Sequence, residues 1–144
     1  MNAGGPAFTD SSGNAWEGDR NFNTGNAFTS AQPWTGPDAP LYGTERWDPA
    51  AAPELSYSFT LTPGTYTVRL HFAEIYFTAV GSRVFDVFVD GTKVLDKLDI
   101  VSEVGPMAPL VKSFTVNETG GTLTIGFVHQ IENPKISGIE IAPQ

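Results

Sequence analysis

The amino-acid sequence predicts an all-β protein built as a β-sandwich, and three observations carry that prediction. Apolar and polar residues alternate along several short stretches of the second half. Turn pairs such as Pro63-Gly64, Asp90-Gly91 and Gly120-Gly121 separate those stretches. No segment shows sustained helical periodicity, and half-buried alternation repeated this often is the pattern of stacked sheets.

The elements follow in order. Residues 1–54 are rich in Gly, Pro, Asn, Ser and Thr and show little period, yet they hold Phe8, Trp16, Phe22, Phe28, Trp34, Tyr42 and Trp47. Disordered segments are poor in aromatics, so the expectation is a long ordered loop region folded over one end of the sheets. Leu55, Tyr57, Phe59 and Leu61 alternate with Ser56, Ser58 and Thr60, which predicts the first strand. After the Pro63-Gly64 turn a second strand runs from Thr65 to about Glu74, with Tyr66, Val68, Leu70 and Phe72 on one face. Phe85, Val87 and Val89 alternate up to Asp90-Gly91, a strong hairpin signal, and Val94 and Leu95 begin a return strand toward Ile100. Phe114 and Val116 mark another strand. Leu123, Ile125 and Phe127 mark the next, and Ile139 and Ile141 complete the sheets. Phe59, Phe72, Phe85, Phe114 and Phe127 are the predicted core rings.

At 144 residues the chain suits a single domain spanning 1–144, large enough for a real core, with no internal repeat and no low-complexity linker. No signal peptide is visible, and Met1 directly precedes Asn2-Ala3-Gly4-Gly5, which reads as domain interior. The expectation is an excised module with an added start codon.

Composition excludes several functions. There is no cysteine, so thiol catalysis, disulfides and thiolate metal sites are absent together. Net charge is −8, and the eight basic residues (Arg20, Arg46, Arg69, Arg83, Lys93, Lys97, Lys112, Lys135) form no cluster. Nucleic-acid binding rests on clustered phosphate neutralisation, so nucleic-acid and anionic-membrane partners are not expected. No apolar run approaches the roughly 20 residues of a membrane-spanning helix.

An enzyme needs a nucleophile, a tuned acid–base group or a metal. The two histidines, His71 and His129, lie in apolar strand contexts and read as structural or rim residues. No H-E-x-x-H, G-x-S-x-G or phosphate-loop pattern occurs. Asp86, Asp90, Asp96 and Asp99 read as solvated strand acids rather than a hydrolytic pair. The expectation is no catalysis. Asp10, Asp19, Asp38 and Asp48 are compatible with a structural calcium in the N-terminal region, but no D-x-D-x-D-G loop is present and no other cofactor is expected.

The aromatic residues outside the strand alternation carry more. In His71-Phe72-Ala73-Glu74-Ile75-Tyr76-Phe77 two large rings are adjacent. Neighbours on a strand face opposite ways, so both cannot fill one core, and both fit a strand end or loop open to ligand. Trp47, Tyr76, Phe77 and Phe28 are the predicted contact rings. A pyranose packs an axial C–H face on such rings, while its hydroxyls need donors and a carboxylate acceptor at the rim.

Six segments in order resemble the malectin family: Asn2-Ala3-Gly4-Gly5; Tyr42-Gly43-Thr44-Glu45-Arg46-Trp47; Tyr66 to Phe77; Val84 to Gly91; Leu98-Asp99-Ile100; and Glu132-Asn133-Pro134-Lys135-Ile136. The resemblance implies a jelly-roll-like sandwich of the galactose-binding-domain type. It also implies non-catalytic binding of glucose-containing saccharides, with an α-linked glucobiose as the minimal unit in animal malectin. Carried over residue by residue, it makes Trp47, Tyr76, Phe77 and Glu132 ligand-binding and places a further family tyrosine near Phe28. Trp47 stands where the family has Tyr, which enlarges the stacking face and removes a hydroxyl. Glu132 stands where it has Asp, which adds one methylene of reach. Structural roles are implied for Glu45, Arg46 and Glu74, with Arg46 expected to pair with an acid beneath the site and fix the segment bearing Trp47. Similar domains occur in bacterial polysaccharide-degrading enzymes and in plant receptor kinases. The implied setting is therefore a module of a larger, secreted or cell-surface (or periplasmic) bacterial protein, with a saccharide partner. A protein-interaction or adhesion surface on the same loops is the alternative.

Overall fold

The computed structural model describes residues 1–32 and 34–144. Among these described residues, twelve strands and two short helices follow in chain order: β1 (Phe8–Thr9), β2 (Ala15–Trp16), β3 (Asn26–Thr29), α1 (Ala39–Tyr42), β4 (Thr44–Trp47), β5 (Ser56–Thr60), β6 (Gly64–Phe72), β7 (Val84–Val89), β8 (Thr92–Leu98), α2 (Ile100–Val104), β9 (Leu110–Glu118), β10 (Thr122–Ile131), β11 (Lys135–Ile136) and β12 (Gly138–Pro143).

The all-β sandwich is the observed architecture. A four-stranded sheet in the order β5-β10-β7-β8 faces a three-stranded sheet in the order β12-β6-β9, and all pairings are antiparallel. Their inner faces meet in one core. Val68, Leu70 and Phe72 from β6 pack with Phe85, Val87 and Val89 from β7 and Leu123, Ile125 and Phe127 from β10. The Phe72 and Phe85 rings bridge the two sheets at 6.0 Å between centroids. Phe72, Phe85 and Phe127 are fully buried as expected, whereas Phe59 and Phe114 are only partly buried and pack at the edge of the core. They sit on β5 and β9, which are edge strands, and an edge strand has a neighbour to cover its side chains on one flank only.

The Asp90-Gly91 hairpin forms between β7 and β8, with φ of 46° at Asp90 and 72° at Gly91. Two successive positive φ values are the geometry of the primed two-residue turn, which Asp-Gly tolerates well. The return strand stops at Leu98, earlier than expected, because Asp99 starts α2. Its carboxylate accepts from the Ser102 amide, and a strand-period reading gives no sign of a five-residue helix. β6 likewise stops at Phe72, two residues short of the expected end.

The N-terminal region differs from the expected loop. It contains β1 to β4 and α1, and β3 and β4 join β11 in a separate three-stranded sheet, order β11-β4-β3. Strands of two to four residues are too short for alternation to show in sequence. The Asn2-Ala3-Gly4-Gly5 segment anchors this sheet. Asn2 bridges Gly138 of β12, and its side chain accepts from Thr44 of β4. Gly4, at φ 72°, lies so close to β4 that a Cβ would stand 2.0 Å from the Glu45 carbonyl oxygen, which leaves room for glycine alone.

Candidate functional site

The small sheet β11-β4-β3 has two faces with different tasks. Phe28 opposes Glu45, and Lys135 and Asn26 both oppose Trp47, so these residues share one face. Arg46, between Glu45 and Trp47, points to the other face. There it donates to Asp19 Oδ2 at 2.6 Å and lies over the Phe22 ring at 3.4 Å. Tyr57 donates to the second Asp19 oxygen at 2.9 Å, and burial drives the Tyr57 phenol strongly upward in pKa. Arg46 therefore pairs with an acid and steadies β4, as expected, but from the strand face opposite Trp47.

Over the Trp47 face lies a cavity of about 360 Å³, lined by Phe28, Glu45, Trp47, Tyr76, Phe77, Arg83, Glu132 and Asn133. All five residues singled out from sequence line this one cavity. Phe28 lies within β3 rather than in a loop, and Trp47 ends β4. Tyr76 and Phe77 follow β6 and Glu132 follows β10, outside the strands. The Tyr76 ring meets Phe28 edge-on at 6.0 Å and Phe77 at 4.9 Å, which makes a continuous aromatic wall. Tyr76 is 66% exposed, so its ring is not held by core packing.

Backbone polar groups explain the wall's position. Glu74 is buried, and its Oε1 accepts from the amides of Tyr76 at 3.0 Å and Phe77 at 3.1 Å. Its Oε2 receives Arg83 Nε at 2.7 Å, and Arg83 Nη1 donates to the Asn133 carbonyl. Beneath the wall, Ala73 and Ile75 pack into a second apolar cluster with Trp16, Leu41 and Tyr42, against which Phe28 rests. The opposite lip comes from the end of β10. A bulge between His129 and Ile131 shifts the register, Ile131 pairs with Val84, and Glu132 turns out at φ 56° into solvent. Bulges re-aim side chains in this way beside functional sites. At the floor, buried Lys135 donates to the Ala73 carbonyl and forms an ion pair with Glu45, whose Oε2 lies off the hydrogen-bond angle.

Three lining residues were not among the predicted contacts. Glu45 and Asn133 lay inside recognised motifs, but Arg83 is a lone arginine after Gly81-Ser82 and carries no sequence signal. The four candidate calcium aspartates stand apart. Asp10 accepts from the Trp16 indole at 3.0 Å and from Asn14, which lowers its pKa to about 2. Asp19 serves Arg46, Asp38 serves Ser11, and Asp48 accepts the Leu55 amide at 2.6 Å. Among the described residues, Asp48 is the one of the four that belongs to a group of three ligand-type side chains, with Glu54 and His129, and there His129 Nδ1 meets Glu54 Oε2 at 2.6 Å. Asp86 is buried rather than solvated and is held by Lys93, Gln130 and the Lys97 amide.

The family model of the malectin domain matches residues 1–139. The chain belongs to the malectin domain family. Malectin domains are known as carbohydrate-binding domains. Malectin-B of Xenopus laevis is 31% identical over 121 residues, covering 72% of this chain and 42% of that protein. A probable LRR receptor-like serine/threonine-protein kinase of Arabidopsis thaliana is 35% identical over 125 residues, covering 74% of this chain and 12% of that one. The chain spans only 9% to 14% of the first three curated relatives, which are plant receptor-like proteins. The ANX1 ectodomain of Arabidopsis thaliana superposes with a TM-score of 0.87 at 19% identity, over 98% of this malectin domain and 46% of that chain. A β-glucuronidase of Bacteroides uniformis matches at the same score and 22% identity over 18% of its chain, a likeness of fold. The expected setting in a polysaccharide-degrading enzyme finds no support, since the curated relatives are receptor-like proteins and malectins. A bacterial secreted origin is likewise not shown. No helix among the described residues is long and apolar enough to cross a membrane.

Proposed function

We propose that the domain binds neutral, glucose-containing saccharides without turning them over, in the cavity between the Tyr76–Phe77 wall and Glu132. The convergence of rings and carboxylate on one cavity supports this most. A space of about 360 Å³ lies within the usual range for small-ligand sites, which runs from roughly 300 to 1,000 Å³. Phe28, Trp47, Tyr76 and Phe77 offer apolar faces for the sugar ring, and Glu132 offers two acceptor oxygens for hydroxyls. Of the two acids lining the cavity, Glu45 is ion-paired to Lys135 at the floor, which suits a structural anchor better than a general acid. An extracellular or cell-surface setting within a larger protein accompanies this reading.

Calorimetry against α- and β-linked glucobioses tests the proposal. Dissociation constants on the order of micromolar to millimolar are expected, roughly 4–8 kcal/mol, because sugar hydroxyls exchange water partners for protein ones at little net gain. No heat with any glucobiose, or cleavage of the sugar on long incubation, would overturn it. Tyr76 on the rim is 66% exposed, and Val80 and Ile131, in the segments that adjoin the wall and the lip, are 66% and 50% exposed, which supports the alternative of a protein partner.

A further inference from the structure

We infer that Arg83 is the positioning residue of this site, setting the aromatic wall and the carboxylate lip at their working separation. The inference rests on the saccharide-binding reading above. Beside the β3–β4 face, the Tyr76–Phe77 wall and the Glu132 lip of the cavity come from segments about 50 residues apart in sequence, 73–83 and 132–135. Arg83 is 7% exposed and has one partner on each side. Its Nε donates at 2.7 Å to Glu74, the carboxylate that also holds the Tyr76 and Phe77 amides. Its Nη1 donates to the carbonyl of Asn133, the residue after Glu132. The guanidinium also stands 5.1 Å from the centroid of the Phe77 ring.

The planar fork of arginine explains the residue type. It presents several donors in fixed directions, so one side chain can hold a carboxylate and a carbonyl at a set distance. A lysine ammonium is a single point at the end of a flexible stem and can keep the Glu74 ion pair but not the bridge. Sheet pairing alone leaves this geometry open. Ile131↔Val84 is the last register pair between β10 and β7, and both Glu132 and Arg83 lie just beyond it.

Three forms of the whole chain separate this role from plain stability: Arg83→Lys, Glu132→Gln and the double variant. Melting temperature and glucobiose affinity are measured for each. Arg83→Lys should fold with a melting temperature near that of the wild type and bind at least 10-fold more weakly. The loss caused by Glu132→Gln should shrink markedly in the Arg83→Lys background, because the lip is already misplaced. Affinity within 2-fold of wild type, or losses that simply multiply, would overturn the inference. Should Arg83→Lys not fold, the wild type itself decides by NMR. The Arg83 Nε–H and the Tyr76 and Phe77 amide signals should shift together on saturation with sugar, and an unmoved Arg83 signal would overturn the role. If the wild type binds no glucobiose, the saccharide reading fails instead, and the two failures are distinct.

Discussion

At the scale of single residues, neighbours in one segment do opposite jobs. Phe72 is the last residue of β6 and fully buried, whereas Tyr76, four positions on, is 66% exposed. Phe72→Ala should therefore cost about 3–5 kcal/mol of folding stability through lost transfer and a residual cavity. Tyr76→Ala should leave the melting temperature near wild type and weaken sugar binding by about 1–3 kcal/mol, as should Trp47→Ala. Equal destabilisation by Tyr76→Ala and Phe72→Ala would show the Tyr76 ring to be core. His71 makes a second residue-scale case. Tyr42 Oη lies 2.8 Å from its Nδ1 and Glu140 Oε1 lies 2.6 Å from its Nε2, with the Trp16 ring edge-on at 5.2 Å. Burial lowers its pKa below the usual 6.5 and outweighs the opposing pull of Glu140, while Arg69 and the chain's amino terminus add to the lowering. Burial likewise pushes the Tyr42 phenol up to about 12. Below about pH 6.5 the unfolded chain takes up the His71 proton before the folded one does, so stability falls on acidification from pH 7 to 5. His71→Gln should flatten that part of a melting-temperature–pH curve, and an unchanged slope would remove His71 as its source.

At the scale of elements, the small sheet β11-β4-β3 connects the core to the site. Its outer face presents Phe28, Glu45 and Trp47, and its inner face is held by the Asp19–Arg46 pair, both side chains at most 10% exposed. Breaking one partner of a buried pair leaves the other charge uncompensated, at about 3–5 kcal/mol. Asp19→Asn should destabilise the domain on that order in chemical denaturation, and a loss under about 1 kcal/mol would mean that β4 is held by its strand neighbours alone. The long strands of the sandwich could be read from period and turns, because strands of five to ten residues give alternation room to show. β1 to β4 and α1 could not, since two to four residues contain too little period. The same shortness hid α2, which is set by the Asp99 cap rather than by an apolar stripe.

At the scale of the whole molecule, charge and cavity act together. The chain carries −8, yet around the cavity Glu45 is balanced by Lys135 and Glu74 by Arg83, which leaves Glu132 as the exposed charge. A neutral sugar gains nothing from the long-range field, so glucobiose affinity should stay constant within about 2-fold between roughly 0.05 and 0.5 M salt. A steep salt dependence would indicate a charged ligand. Anionic sugars such as uronates should bind more weakly than their neutral counterparts, because Glu132 and the net charge repel them.

The sequence by itself determined the all-β class, the sandwich strands, the family and the five residues that come to line the cavity. Each is written in local terms: a period of two, a turn pair, or a motif whose order survives in one dimension. The tertiary structure alone decided three things. It turned Arg46 away from the site, it gave a lone Arg83 both Glu74 and Asn133 as partners, and it buried Asp86 beneath Lys93. The physical reason is shared by all three. A charged side chain takes its role from whichever partners the fold brings within about 3 Å, and these are 7 to 50 positions away along the chain, outside any strand or motif period that a local pattern records.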